Sequence, residues 1–129
     1  MAYEKEIAKY YQGIEAQSYE EVIKLFSKDA VIIHPIFGDK PASEFFKMLL
    51  ERATKAHKIH IKNQFSDPKE PGRVAVYFTA DAVKTTEGND FEIKHSVHIF
   101  DFSKSGTIEQ MIVIFDTYPM RKFFEHVTT

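Results

Sequence analysis

The stretch AKYYQGIEAQSYEEVIKLFSKDAVIIHPIFG, residues 8–38, contains the changes of pattern from which the fold can be worked out. Its first third continues an apolar stripe with the three- and four-residue spacing of one helix face. The members of this stripe are Tyr3, Ile7, Tyr10, Tyr11 and Ile14. A helix over residues 2–16, with one face directed into a core, is therefore predicted.

A second helix and a strand follow within the same stretch. Ser18 and Glu21 form the capping-box pattern of a helix N-terminus, which predicts a short helix after Ser18. Residues 29–34, DAVIIH, form an apolar run that predicts a strand. Pro35, with a glycine three residues later, predicts that the strand ends in a turn. His34 therefore occupies the last position of the strand.

Outward from this stretch, one more helix precedes a series of strands. Pro41 is typical of a first helical turn and predicts a helix to about Ala53. The period then changes from 3.6 to 2, which predicts strands over residues 58–66, 73–86, 91–103 and 107–117. Alternation in the first of these strands predicts one face made of Ile59, Ile61 and Phe65. The last residues, FDTYPMRKFFEHV, predict a short C-terminal helix.

Three helices followed by consecutive strands predict an α+β fold. We expect the helices to pack on one face of a strongly curved antiparallel sheet. Such a sheet leaves a conical interior that suits a small apolar ligand. The length of 129 residues, without a linker or a repeat, predicts a single domain over residues 1–129.

Composition narrows the function classes. The net charge of −2 leaves no basic excess for phosphates, so we expect no nucleic-acid partner. The chain has no cysteine, which excludes disulfides, thiolate nucleophiles and cysteine-ligated metals. No apolar run is long enough to span a membrane, and the first residues, MAYEKEIAKYY, lack the apolar core of a signal peptide. A cytoplasmic protein without a membrane partner is therefore expected.

The order of elements, and the stretch of residues 8–38 in particular, resembles the nuclear transport factor 2-like superfamily. The likeness is to its ketosteroid isomerase and SnoaL-like polyketide cyclase branch, which begins with a helix carrying an inward tyrosine. A segment of the form LF-x-x-D-A-x-x-x-x-P then follows, here Leu25–Pro35. The resemblance covers essentially the whole chain and implies a cone-shaped α+β fold.

The resemblance also implies four catalytic candidates. Tyr10 falls where ketosteroid isomerases keep the tyrosine that hydrogen-bonds the substrate oxyanion. His34 falls at their aspartate base, and His98 at their protonated aspartic acid, so two carboxyl groups are replaced by imidazoles. Asp116 resembles the acid/base aspartate that SnoaL-like cyclases carry near the end of the last strand.

Each candidate also has a plainer interpretation from the residues alone. His34 suits a base at a pocket mouth, because its ordinary pKa is close to neutral pH. Alternatively, its ring caps the strand end by bonding a backbone carbonyl. Tyr10 is either a hydroxyl donor or a core tyrosine, with Tyr11 as the fallback candidate. Asp116 lies on the face opposite to Phe115 unless the strand bulges, and it also suits a helix N-cap.

Alternation in HSVH separates its two histidines. His98 shares a face with Ser96, Phe100 and Phe102, whereas His95 points to the other side of the sheet. We therefore expect no metal site, and we expect His98 to face the interior. The residues expected to line the ligand cavity are Phe37, Phe100, Met111, Val113 and Phe115.

Two function hypotheses follow. In the first, the protein binds a small apolar carbonyl compound and acts as a cofactor-independent isomerase or cyclase. His34 would be the base, and Tyr10 and His98 would be the donors. In the second, it is a non-catalytic domain that binds a hydrophobic ligand or serves as a dimeric interaction module. The family resemblance implies a homodimer formed through the outer face of the sheet.

Overall fold

The computed structural model describes residues 3–55, 58–85 and 90–118. Its helices are α1 (Glu4–Glu15), α2 (Tyr19–Ile23) and α3 (Ala42–Arg52). Its strands are β1 (Phe26–His34), β2 (Gly38–Pro41), β3 (Ala53–Lys55), β4 (Ile59–Asp67), β5 (Glu70–Thr85), β6 (Asp90–Phe102) and β7 (Ile108–Phe115). The predicted α+β class and the three N-terminal helices are confirmed. The predicted C-terminal helix lies outside the described residues.

A side-chain cap begins α2, and a glycine lies where α1 packs against α2. The backbone N–H of Glu21 donates to the hydroxyl of Ser18 at 3.2 Å, so half of the predicted capping box is made. Gly13 lies where α1 meets α2, and a Cβ placed there would come within 2.8 Å of Cγ2 of Val22. The absence of a side chain at Gly13 therefore lets the two helices approach closely.

The strands form one seven-stranded sheet. Its order is β2-β1-β7-β6-β5-β3, and β4 pairs with β5 beside β3. All pairs are antiparallel except β1 with β7, which is parallel. Register shifts in five of the six pairings introduce the local bends that curve such a sheet.

Several boundaries differ from the prediction. Strand β1 begins at Phe26, three residues before the predicted start. Strand β5 begins at Glu70, so only a short turn separates it from β4. The short strands β2 and β3 were not expected, because three or four residues are too few to show a periodic pattern.

The prediction for the faces of β4 was wrong for the residues after Ile61. A bulge between Ile61 and Asn63 shifts the pairing with β5. Because the side-chain period in a strand is two, one extra residue moves all later side chains to the other face. Phe65 therefore pairs with Ala75 on the outer face and is 58% exposed.

The core lies between the helices and the inner face of the sheet. Ile7 from α1 and Phe46 from α3 are fully buried against it. The inner face contributes a continuous buried row across four strands: Ile32, Met111, Phe100 and Val74. Within the described ranges, none of the helices combines the length and the apolar character needed to cross a membrane.

Candidate functional site

Strands β1 and β6 each carry a histidine two residues away from their member of the buried row. In the pairing of β1 with β7, Ile33 lies opposite Ile112, so His34 comes beside Val113. On the other side of β7, His98 pairs directly with Val113. Neighbouring strands are about 4.8 Å apart, so the backbones of the two histidines are about 10 Å apart. His34 and His98 thus flank Val113 on one inner face.

The side chain of His34 is bound into the turn that follows β1. Its Nδ1 accepts the backbone N–H groups of Ile36 at 3.1 Å and Phe37 at 3.3 Å. The ring is 9% exposed and packs between Phe37, Phe45 and Phe115 at centroid distances of 4.7, 5.4 and 5.5 Å. His34 therefore caps the end of the strand, as one interpretation expected. The expected bond to a backbone carbonyl is wrong, because the ring accepts from backbone N–H groups.

His98 is held by an aromatic cluster. Its Nδ1 lies 2.9 Å from the hydroxyl of Tyr11, and the two rings are parallel at 5.8 Å. Phe78 packs against the same imidazole at 4.5 Å. The ring is partly buried and lies on the face that alternation predicts.

Burial keeps both imidazoles neutral. It lowers the pKa of His34 from 6.5 to about 4. Burial lowers the pKa of His98 to about 3, and the proximity of His34 contributes to this shift. Near neutral pH, the site therefore holds two uncharged imidazoles among aromatic rings.

The two neighbouring tyrosines of α1, Tyr10 and Tyr11, make different contacts with His98. Tyr10 is 2% exposed, and its ring meets His98 and Phe100 edge-on at 6.0 and 5.3 Å. Its hydroxyl has no hydrogen-bond partner among the described residues, whereas Tyr11 bonds His98. Burial raises the pKa of both phenols, so both keep their protons. The fallback candidate, Tyr11, is thus the tyrosine bonded to an imidazole.

The structure does not bring Asp116 to the histidines. Its side chain is exposed and accepts the backbone N–H of Tyr118 at 3.1 Å. This contact is the local turn bond typical of aspartate at the end of an element. The helix that Asp116 was expected to cap lies outside the described residues.

The expected cavity residues fall into two groups. Phe37 and Phe115 contact the His34 ring and are partly buried, and Val113 separates the two histidines. Phe100 and Met111 are 0% and 1% exposed, so they belong to the packed core behind this position. Only the first group lies beside the imidazoles.

Other histidines are apart from this cluster. His95 bonds the hydroxyl of Tyr77 at 2.7 Å on the outer side, as alternation predicts, and His60 lies 3.3 Å from Asp81 at the surface. In the part of the chain that the structure describes, no three histidine, aspartate or glutamate side chains come together as a metal-binding group.

No family model matches the chain, and no curated protein matches its sequence. Solved structures, however, share its fold. TerC co-crystallised with polyporic acid has a TM-score of 0.75 at 19% identity, covering 95% of this chain and 98% of that chain. An NTF2-like protein of unknown function from Burkholderia pseudomallei has a TM-score of 0.75 at 16% identity, covering 93% and 95%.

A third similar structure is SalBIII, described as an epoxide hydrolase/cyclase-like enzyme in pyran ring formation in salinomycin. Its TM-score is 0.72 at 17% identity, covering 88% of this chain and 90% of that chain. Identities this low concern the fold and leave the chemistry to the residues of the site. The resemblance derived from residues 8–38 is thereby confirmed at the level of the fold, and the chain has the cone-shaped α+β fold of the nuclear transport factor 2-like superfamily.

Proposed function

We propose that this protein binds a small, largely apolar carbonyl compound beside Val113, between His34 and His98. We further propose that it acts there as a cofactor-independent isomerase or cyclase. The observation that carries the proposal is the pair of neutral imidazoles on one inner face, each with its Nδ1 engaged by the protein. The imidazoles and the Tyr10 hydroxyl would donate hydrogen bonds to the reacting oxygen and stabilise the negative charge that develops on it.

The surroundings favour an apolar compound. Phe37, Phe115 and Val113 offer carbon surface next to the imidazoles, and none of the three carries a charge. In such surroundings, a hydrogen bond to a developing oxyanion is stronger than in water, because the local dielectric is low. SalBIII and TerC support a small-molecule function by fold alone, since one is described as cyclase-like and the other was crystallised with polyporic acid.

The first test is an NMR titration of the histidine ring protons with a panel of cyclic enones and steroids. We expect the His34 and His98 signals to move together when one compound binds. The signals of His60 and His95 are the internal controls, because these rings lie at the surface away from Val113. Turnover of the bound compound that is lost in His34→Ala would support catalysis. If no compound moves the two signals, the proposal is wrong.

A second candidate function, a dimeric interaction module, rests on the outer face of the sheet. A row of apolar side chains crosses five strands there: Phe65, Ala75, Ile99, Ile112 and Ile33. Ile114 extends this surface along β7 and is 48% exposed. We propose that a second copy of the chain covers this outer apolar row, which gives a homodimer with the ligand site on the opposite face of each sheet.

A further inference from the structure

The turn after β1 determines which nitrogen of His34 carries the proton. A backbone N–H can only donate, and Nδ1 of His34 accepts two of them, from Ile36 and Phe37. Nδ1 therefore presents a lone pair, and the proton of the neutral ring is on Nε2. Moving the proton to Nδ1 would place it against two donors and break both turn bonds.

The hydroxyl of Tyr11 determines the tautomer of His98 in the same way. The phenol keeps its proton, and Nδ1 of His98 is its hydrogen-bond partner among the described residues. If Nδ1 carried the proton and donated to the phenol oxygen, the phenol hydrogen would have no acceptor in that part of the chain. The favourable arrangement has Tyr11 donating to Nδ1, so His98 also carries its proton on Nε2.

The Nε2 atoms of the two histidines are the ring nitrogens that the turn and Tyr11 leave without a bond. Neither has a partner in the part of the chain that the structure describes. The two histidines lie on strands on either side of Val113, on the same face of the sheet.

We infer that His34 and His98 are a pair of fixed Nε2–H donors, and that the ligand is recognised through an acceptor oxygen, a ketone or enone carbonyl, placed over Val113. This inference rests on the proposed function and changes one expected role. His34 binds and polarises the carbonyl and does not take up a proton, because its Nε2 already carries one. Tyr11 is a positioning residue that holds His98 in the donor form.

The tautomers can be read from long-range ¹H–¹⁵N spectra of the histidine rings at pH 7. We expect the Nε2–H pattern for both His34 and His98. Tyr11→Phe should release Nδ1 of His98 and shift its pattern towards a mixture of tautomers. Tyr10→Phe should leave the pattern unchanged, although its ring packs against the same imidazole. An Nδ1–H pattern for His34 in the unmodified protein overturns the inference, whether or not a compound binds.

The ligand class can be tested with pairs of compounds that differ only in the oxygen. The probes are acetophenone, 1-tetralone and benzophenone, each compared with the analogue in which a methylene group replaces the oxygen. We expect at least one ketone to bind tenfold or more tightly than its analogue, because only the ketone satisfies the donors. Equal affinities overturn the inference and leave the proposed pocket standing. If neither member of any pair binds, the proposed function fails with it.

His34→Asn is the matched variant for this comparison. Its side-chain oxygen can still accept the turn N–H groups, as asparagine does in Asx turns, but its amide is shorter than the imidazole. We expect the preference for the ketone to fall at least fivefold. His95→Asn, on the outer face, should keep the full preference. A preference that survives in His34→Asn contradicts the role of His34 as a ketone donor.

Discussion

The two imidazoles link the acidity of the solution to the stability of the fold. The folded-state pKa of His34, about 4, lies below its ordinary value of 6.5. Protons therefore bind the unfolded chain more readily, so the stability is complete above pH 6.5 and is lost as the pH falls towards 4. At about 1.4 kcal/mol for each pH unit, His34 alone would cost the fold about 3 kcal/mol over this range.

This prediction is checked by measuring the free energy of unfolding with a denaturant at pH 7, 5.5 and 4.5. Exposed carboxylates also contribute to the slope, so the comparison is between the unmodified protein and His34→Asn. The variant should lose less stability on acidification, because asparagine does not titrate. Parallel slopes for the two proteins would show that His34 is not the source.

At the level of single residues, some of this site could be predicted and some could not. Alternation along β6 is enough to place His98 inside and His95 outside, because the parity of a regular strand is visible in the sequence. The choice between Tyr10 and Tyr11 was not visible, since both lie on the buried side of α1. The tautomer of His34 depends on backbone N–H groups of a turn. Almost every residue type has such a group, so the sequence does not show which of them donate to the ring.

At the level of elements, the contact of α1 with α2 gives a prediction about Gly13. Alanine is a better helix former than glycine by about 1 kcal/mol. Nevertheless, we expect Gly13→Ala to destabilise the protein by about 1–3 kcal/mol, because the added methyl group would meet the fully buried and stiff side chain of Val22. The measurement is chemical denaturation of the single variants and of the double variant with Val22→Ala.

The double variant tests whether a steric clash with Val22 causes the destabilisation by Gly13→Ala. If the clash is responsible, Gly13→Ala should cost less in the Val22→Ala background than in the unmodified protein. Equal costs in both backgrounds would place the effect elsewhere in α1. A net stabilisation by Gly13→Ala would mean that the two helices separate easily and that propensity dominates.

Long elements with a regular period were predictable, and short or irregular ones were not. Helices α1 and α3 and strands β5, β6 and β7 are each eight or more residues long, and their sequences follow periods of 3.6 and 2. The parallel pairing of β1 with β7 joins residues that are far apart in the chain, so no local pattern contains it. The bulge in β4 reverses alternation without any glycine or proline to mark it.

At the level of the whole molecule, the curved sheet separates two surfaces with different uses. Its inner face carries the core and the two histidines, and its outer face carries the outer apolar row. The bulge in β4 contributes to this division, because it moves Phe65 to the outer side while Ile61, 38% exposed, stays on the side of Phe78. Substitutions of Phe65 and Ile61 can therefore serve as the test of the dimer and as its control.

If a second copy of the chain covers the outer apolar row, Phe65→Lys should shift the protein towards a monomer in light scattering coupled to size exclusion. Its charge would be buried without a partner in the interface, and this costs several kcal/mol. Ile61→Lys changes an exposed apolar residue of the same strand on the opposite face and should leave the mass unchanged. A monomer already present in the unmodified protein at high concentration, or equal effects of both variants, would contradict the dimer. Because the ligand site faces the other way, the ketone preference should persist in the Phe65→Lys monomer.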